Sequence, residues 1–552
     1  MCGIAGFISS NKSYDASKIV NGMLRRMKYR GPDQKGIKTY HNVTLGMLRL
    51  SIIDQEKHQI PYTDESNNYA CVYNGEIYNH QEIKRNLKIK FTYKTNSDAE
   101  TALLSFIDSG ISSFNNHNGM YSFAIYDKLN RTTYVVRDKV GEKPLYYYKG
   151  KDFFIFASEM KALLELVEPK LNDAISYKVY EFTVGKETLF KGIFQLEPGE
   201  YIKIIDEKVE FYNYWKVWDN LIEIKDDENA IIKDLSELLE DSILLRTQNC
   251  VHKLAVLISG GIDSALVASI AKPDYIYTSH YGFDDFDELK YAKCVAKHIN
   301  KKLIIVQPQK EDFLKTKEDI IYCLDTPCTW TSFTLWMLMK KIYEDGLKVT
   351  MTGDAADELF GGYHRYHLLY HDEQIRELEA MRKYNYLIDK YYGSPVYRYA
   401  KIVNRSSNIY DKEINQYLEE SIGYYFKKLN KDVVHLMGLN DFYSTMQVLL
   451  QMSDRISMHY SIENRSPFLD YRLVQFAFSM SSEYKIRYGI TKWILKQVAR
   501  KFIPKDIVER VDKRGFSAPV NHWFKWNKKG KYDRSAYRRM VFQDWKKVYN
   551  VS

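Results

Sequence analysis

Cysteine is scarce in this 552-residue chain, and its six copies (Cys2, Cys71, Cys250, Cys294, Cys323, Cys328) are scattered. That excludes a disulfide framework and fits a reducing compartment. The nearest pair, Cys323 and Cys328, has no second Cys or His pair beside it, so buried thiols are expected there and not a zinc site. No apolar run reaches about 18 residues, and no charged-then-apolar leader opens the chain. Neither a membrane span nor a signal peptide is expected, which leaves a cytoplasmic protein. The Gly-Lys-Ser/Thr ending of a Walker loop is missing, and so is any internal repeat. Charge of one sign is also in short supply, since the net +9 is small for this length. The excess sits in 525–549, where nine Lys and Arg meet only Asp533 and Asp544, interleaved with Trp526, Tyr532, Tyr537, Phe542 and Trp545. Such a stretch could touch nucleic acid or an anionic surface. A terminal charge run is more often a solvated extension, and that is the expectation; no nucleic-acid partner is.

What is present divides into two grammars. Residues 1–210 alternate short strands and turns, at Ile4 to Ile8, Val43 to Leu48, Ala70 to Tyr73, Tyr121 to Tyr126, Thr133 to Arg137 and Phe153 to Ala157. Helical signals there are fewer, at Ile19 to Met27 and Asp98 to Ile107. The mix predicts stacked sheets flanked by helices. Residues 211–229 are polar and poorly periodic, and read as a linker. From 230 to 552 the chain changes. Ile231, Ile232, Leu235, Leu238, Leu239 and Ile243 share one helix face, and strands then alternate with helices. That alternation predicts a parallel sheet covered on both faces, with added helices beyond Gly362.

Three stretches carry chemistry. Loss of the initiator Met would leave Cys2 with a thiol and a free α-amine on one residue, a nucleophile beside its own base near neutral pH. The apolar run Leu254 to Ile258 ends in Ser259-Gly260-Gly261-Ile262-Asp263-Ser264 and a helix. Glycines at a strand end let backbone N–H groups approach phosphates, and Asp263 could hold Mg²⁺. Thr352-Gly353-Asp354-Ala355-Ala356-Asp357-Glu358 follows a later strand and sets three carboxylates within five residues. Like charges that close require a cation or a cationic substrate to offset them.

The order of the motifs resembles the glutamine-hydrolysing asparagine synthetase family over nearly the whole chain. Arg30-Gly31-Pro32-Asp33, Arg49 to Ile53, Asn74-Gly75-Glu76-Ile77-Tyr78-Asn79, Ser97-Asp98, Gly119 to Ala124, Arg137-Asp138 and Lys143 to Tyr146 look like a class II glutamine amidotransferase domain. The Ser259 to Ser264 loop looks like that of the ATP pyrophosphatases. The resemblance implies a four-layer αββα N-terminal-nucleophile sandwich followed by an α/β ATP pyrophosphatase fold. It implies that Cys2 attacks glutamine and that Asn74 and the Gly75 N–H form the oxyanion hole. Arg49, Leu50, Ser51, Ile52, Ile53, Asn74, Gly75, Glu76 and Asp98 would bind glutamine, with Arg49 on its carboxylate and Glu76 and Asp98 on its ammonium. ATP would be held by Leu257, Ser259, Gly260, Gly261, Asp263, Ser264, Tyr281, Thr352 and Gly353, and Mg²⁺ by Asp263 and Asp357. Asp354 would lie close to the acyl-adenylate and Lys492 would face the α-phosphate. Asp454-Arg455, Glu463-Asn464-Arg465 and Pro467 to Asp470 resemble a segment flanking the acceptor site. Aspartate is the implied acceptor and a homodimer the common family assembly. Ala355 and Ala356 depart from the family's small residues, which keeps open a different carboxylate, such as a uronic acid of a surface-glycan precursor.

Overall fold

The first strand explains the layering of the N-terminal half. Along Cys2–Ile8, alternate side chains point to opposite faces. Cys2, Ile4 and Ile8 join a core with Val72, Tyr73, Phe123, Ile125 and Val136 of a second sheet, while Ala5 and Phe7 pack with Met23 and Leu24 of the Ala16–Arg26 helix. Both sheets have six strands and pair antiparallel. The Asp98–Ser109 helix covers the second through Ala99, Ala102, Leu103 and Phe106. The result is helix, sheet, sheet, helix. The computed structural model describes the chain except for residues 57, 249, 284–287, 378–392, 407–410, 430, 511–517, 525–533 and 552.

One strand extent differs from the sequence reading. The Lys208–Asn213 strand pairs along its length with Glu200–Ile205 and so runs past position 210. Beyond it, Trp215 and Val217 are buried in the second half's core, which anchors the polar stretch that follows.

The second half holds five parallel strands in the order Leu303–Val306, Tyr275–Ser279, Leu254–Leu257, Val349–Met351, Glu463–Arg465. The chain moves outward from Leu254–Leu257 on one side and then returns to its other side with Val349–Met351. Between those two strands the order reverses, and crevices for ligands open at the carboxyl ends of such a pair. The Ser259 loop and the Thr352 segment therefore leave the sheet side by side. The Glu228–Leu245 helix buries Ile231, Leu235, Leu239 and Ile243 as its periodicity predicts.

The described part of the basic tail is a docked helix and not a solvated extension. Its Arg534–Tyr549 helix buries Tyr537, Val541, Trp545 and Tyr549. Trp545 Nε1 donates to the Asp325 carbonyl at 2.9 Å, and the Tyr549 hydroxyl donates to Asp325 Oδ1 at 2.7 Å. The aromatics are spaced at helical intervals, so they face the core while Lys547 stays outside and Lys546 is half-buried. Lys525, Lys528, Lys529, Lys531, Trp526, Tyr532 and Asp533 lie outside the described residues. Among the described residues, no helix is long and apolar enough to cross a membrane.

Candidate active sites

Cys2 opens its strand at the floor of a pocket that Arg49, Leu50, Ser51, Ile52, Ile53, Gly75, Glu76 and Asp98 also line. Antiparallel pairing sets Cys2 opposite Arg49. The Cys2 N–H donates to Asn74 Oδ1 at 3.0 Å, and Asn74 itself sits behind the lining. Gly75 is required by close approach: a Cβ there would collide with the Met120 carbonyl of the paired strand. Burial pushes the Cys2 thiol up, against the lowering pull of the chain's amino group and Arg49. Asp98 accepts from the Tyr73 hydroxyl at 2.6 Å and the Ile77 N–H at 2.9 Å. The Arg49 guanidinium donates to the carbonyls of Asp54 and Glu56.

Met1 also lines this pocket. It is 2% exposed, and its ammonium donates to Glu463 Oε2 at 3.2 Å. The remaining cavity is 30 Å³, about the room one water takes in the liquid.

The second site is a cleft of 360 Å³ lined by Leu257, Ser259, Asp263, Ser264, Thr352, Gly353, Asp354, Ala355 and Asp357. Ser264 Oγ lies 3.2 Å from Ser259 N and 3.2 Å from Ser259 Oγ, which holds the turn closed before the Ile262–Ala271 helix. Gly260 and Gly261 form that turn. The predicted offset to the clustered carboxylates is Lys492. Its Nζ lies 2.6 Å from Asp263 Oδ1 and 2.6 Å from Asp357 Oδ1, and Lys492 is 3% exposed. Gly362 allows the approach, since a Cβ there would run into Asp357 Oδ1 and Lys492 Cε. Asp354 accepts from Thr352 Oγ1 at 2.7 Å, and burial, with Asp263 and Asp357 nearby, pushes its carboxyl up. Glu358 and Tyr363 line the cleft as well; Glu358 accepts from the Tyr363 hydroxyl at 2.6 Å, and burial pushes it up to about 7.

Tyr281 is not brought to the cleft lining. Its hydroxyl is 2.6 Å from Thr334 Oγ1 and its ring packs edge-on to Trp523. Sequence reasoning missed Thr331, Leu335, Leu449, Met452 and Ser453, which complete the cleft wall. They sit on buried helices whose pattern announces core and nothing else.

Asp263 and Asp357 present hard oxygen donors around a point already occupied by a cationic group, a donor set that suits Mg²⁺. Among the described residues no group of three His, Cys, Asp or Glu could hold a metal alone; phosphate oxygens and water would complete the shell.

A buried polar seam joins the two halves. Arg30 Nη1 donates to Asp454 Oδ2 at 2.8 Å, its Nη2 to Asp454 Oδ1 at 3.1 Å, and Lys143 Nζ lies 3.4 Å from the same carboxylate. Burial alone would raise Asp454, but Arg30 and Lys143 outweigh it and hold the group below the usual range. Glu76 meets Arg465 Nη2 at 2.5 Å, so the carboxylate expected to receive a substrate ammonium already has a partner from the second half. Burial pushes Glu76 well up, while Arg465 and the chain's amino group outweigh burial at the adjacent Glu463 and hold it down.

Comparison with known sequences agrees with this two-centre layout. Residues 1–215 match the glutamine amidotransferase domain family and residues 234–540 the family described as asparagine synthase. The chain is 27% identical to asparagine synthetase [glutamine-hydrolyzing] 1 of Bacillus subtilis, over 95% of this chain and 88% of that one. It is equally 27% identical to a putative asparagine synthetase of Mycobacterium tuberculosis, with the same coverage of both chains. A putative asparagine synthetase of Methanocaldococcus jannaschii is 29% identical over 68% of this chain and 78% of its own. With more than half of its residues matched, the chain belongs to the asparagine synthase family and carries a glutamine amidotransferase domain at its N-terminal end.

Proposed function

We propose that the protein is a glutamine-dependent asparagine synthetase. The observation that carries the reading is the convergence of Asp263, Asp357 and Lys492 at the strand-order reversal, in a chain whose other half buries Cys2 beside Asn74 and Gly75.

After Met1 is removed, the Cys2 amine takes the thiol proton, the sulfur attacks the glutamine carboxamide, the amine returns the proton to the departing nitrogen as ammonia leaves, and water hydrolyses the γ-glutamyl thioester to glutamate. Asn74 Nδ2 and the Gly75 N–H stabilise the oxyanion, each such donor contributing about 3 kcal/mol. Arg49 orients the substrate carboxylate, and Asp98 with Glu76 holds its ammonium. Ammonia released here stays unprotonated only while water is excluded, which the buried seam between the halves favours.

In the second half, Ser259, Gly260, Gly261, Ser264 and Gly353 cradle phosphates, and Asp263 with Asp357 would hold Mg²⁺. Bound ATP supplies the acceptor carboxylate with a leaving group, which a carboxylate otherwise lacks. Lys492 neutralises charge that builds at the phosphate, and Asp354 lies next to the carbon under attack. The products are asparagine, glutamate, AMP and pyrophosphate. The likeness to relatives named for asparagine synthesis supports aspartate as the acceptor.

Ala355 favours a second reading. It lines the cleft with a methyl group on a left-handed backbone (φ 78°), which alters the wall against which an acceptor rests. Amidation of a uronic acid uses the same two half-reactions. Pyrophosphate release assayed with aspartate and with sugar acids separates them. Aspartate-dependent release with AMP formation is expected; release only with sugar acids selects the second reading, and none with either rejects both.

A further inference from the structure

Arg465 belongs to both centres. Its guanidinium reaches Glu76 Oε2 at 2.5 Å through Nη2 and Glu463 Oε1 at 2.7 Å through Nε, and its Nη1 donates to the Arg246 carbonyl. Glu76 directly follows Gly75 on the Tyr69–Ile77 strand and lines the Cys2 pocket. The carbonyl of the same Arg465 accepts from the Thr352 N–H at 3.1 Å. Thr352 in turn donates from Oγ1 to Asp354 and receives a 3.0 Å hydrogen bond from Asn464 Nδ2. One residue thus touches the lining of both pockets, its side chain on Glu76 of one and its carbonyl on Thr352 of the other. Arg465, Glu76 and Glu463 are all at most 2% exposed, so solvent does not screen the link.

From this we propose that Arg465 is a positioning residue for both half-reactions, through which occupancy of the glutamine pocket is felt at the nucleotide cleft. The inference rests on the two-centre reading above and adds the route between the centres. A substrate ammonium arriving at Glu76 shares that carboxylate with the guanidinium and weakens its hold. The Glu463–Arg465 strand is fixed by parallel pairing to Val349–Met351, so a change at Arg465 is passed to Thr352. Glu76 is not part of the cleft lining, yet its hold on Arg465 should bear on the cleft's geometry. Coupling of this kind is reciprocal between the two ligands.

The test uses the processed full-length enzyme with ammonium as nitrogen source, so that glutamine chemistry is bypassed. Glu76→Gln is expected to raise the KM for ATP in pyrophosphate release by roughly 5-fold or more with kcat changed much less, and Arg465→Lys to raise it likewise. A general loss of folding would lower the active fraction and leave KM alone, so the split between KM and kcat separates the two causes. Should Arg465→Lys fail to fold, Glu76→Gln keeps the guanidinium paired with Glu463 and decides alone. An ATP KM unchanged in Glu76→Gln overturns the link while leaving the two-centre reading intact. Absence of ammonium-driven release in the unsubstituted enzyme overturns both.

Discussion

Lys492 Nζ donates to Asp263 Oδ1 at 2.6 Å across 229 residues of sequence. The lysine stands at the start of the Trp493–Ala499 helix on a left-handed backbone (φ 53°), which aims its side chain into the cleft and away from the helix surface. A lysine on an amphipathic helix is ordinarily solvated, and here it is the buried counter-ion of two carboxylates. Lys492→Met should lower ammonium-driven pyrophosphate release by on the order of 10²-fold or more, while glutamine hydrolysis stays near its original rate. Equal losses in both assays would mean that the lysine serves folding alone.

The docked C-terminal helix makes a stability prediction. Trp545 is fully buried against Phe190 and Tyr549 and donates to Asp325. Trp545→Ala should cost about 3–5 kcal/mol, seen as a lower urea midpoint for the unfolding step that includes this helix. Lys547→Ala, on the exposed side, should shift that midpoint by less than about 0.5 kcal/mol. Identical midpoints for the two variants would restore the solvated tail.

His117 gives the pH dependence a sign. Burial, with Lys139 adding to it, pushes His117 down to about 3 from 6.5, and its Nε2 is 3.0 Å from Ser105 Oγ. The unfolded chain therefore takes up a proton on this residue well before the folded one does. Stability from keeping it neutral is whole above pH 6.5 and is lost progressively as pH falls toward 3, by at most roughly 4–5 kcal/mol. Urea midpoints measured from pH 7 to 4 should fall less steeply for His117→Gln than for the parent chain; parallel curves would count against the assignment.

Ala355 holds a left-handed conformation that costs a non-glycine residue about 1 kcal/mol. Ala355→Gly should relieve it and raise the thermal midpoint slightly, unless lost packing of the methyl, 4% exposed, offsets the gain. Differential scanning calorimetry reads the sign. A clear drop in midpoint would show that the methyl matters more to the cleft wall than the backbone strain does.

Much of this architecture was legible in the residues. The short apolar run Ile4 to Ile8, buried on both faces, and the 3.6-residue period along Ile231 to Ile243, buried on one, separated a layered β half from an α/β half. The Ser259 to Ser264 loop announced its strand-to-helix setting. Other features depend on residues brought together from hundreds of positions away, and local pattern is blind to those. The Arg30–Asp454 and Glu76–Arg465 pairs belong to this class, and so does the cation that balances Asp263 and Asp357. The tail was misjudged because its charge was counted without the spacing of Tyr537, Val541 and Trp545. Tyr281 was carried over by likeness, and its hydrogen bond to Thr334 turns it aside.

The division of labour between the halves is tested most directly by Cys2→Ala supplied in turn with glutamine and with ammonium. Asparagine formation should vanish with glutamine and persist with ammonium at close to the parent rate. Loss with both nitrogen sources, or persistence with both, would contradict the account.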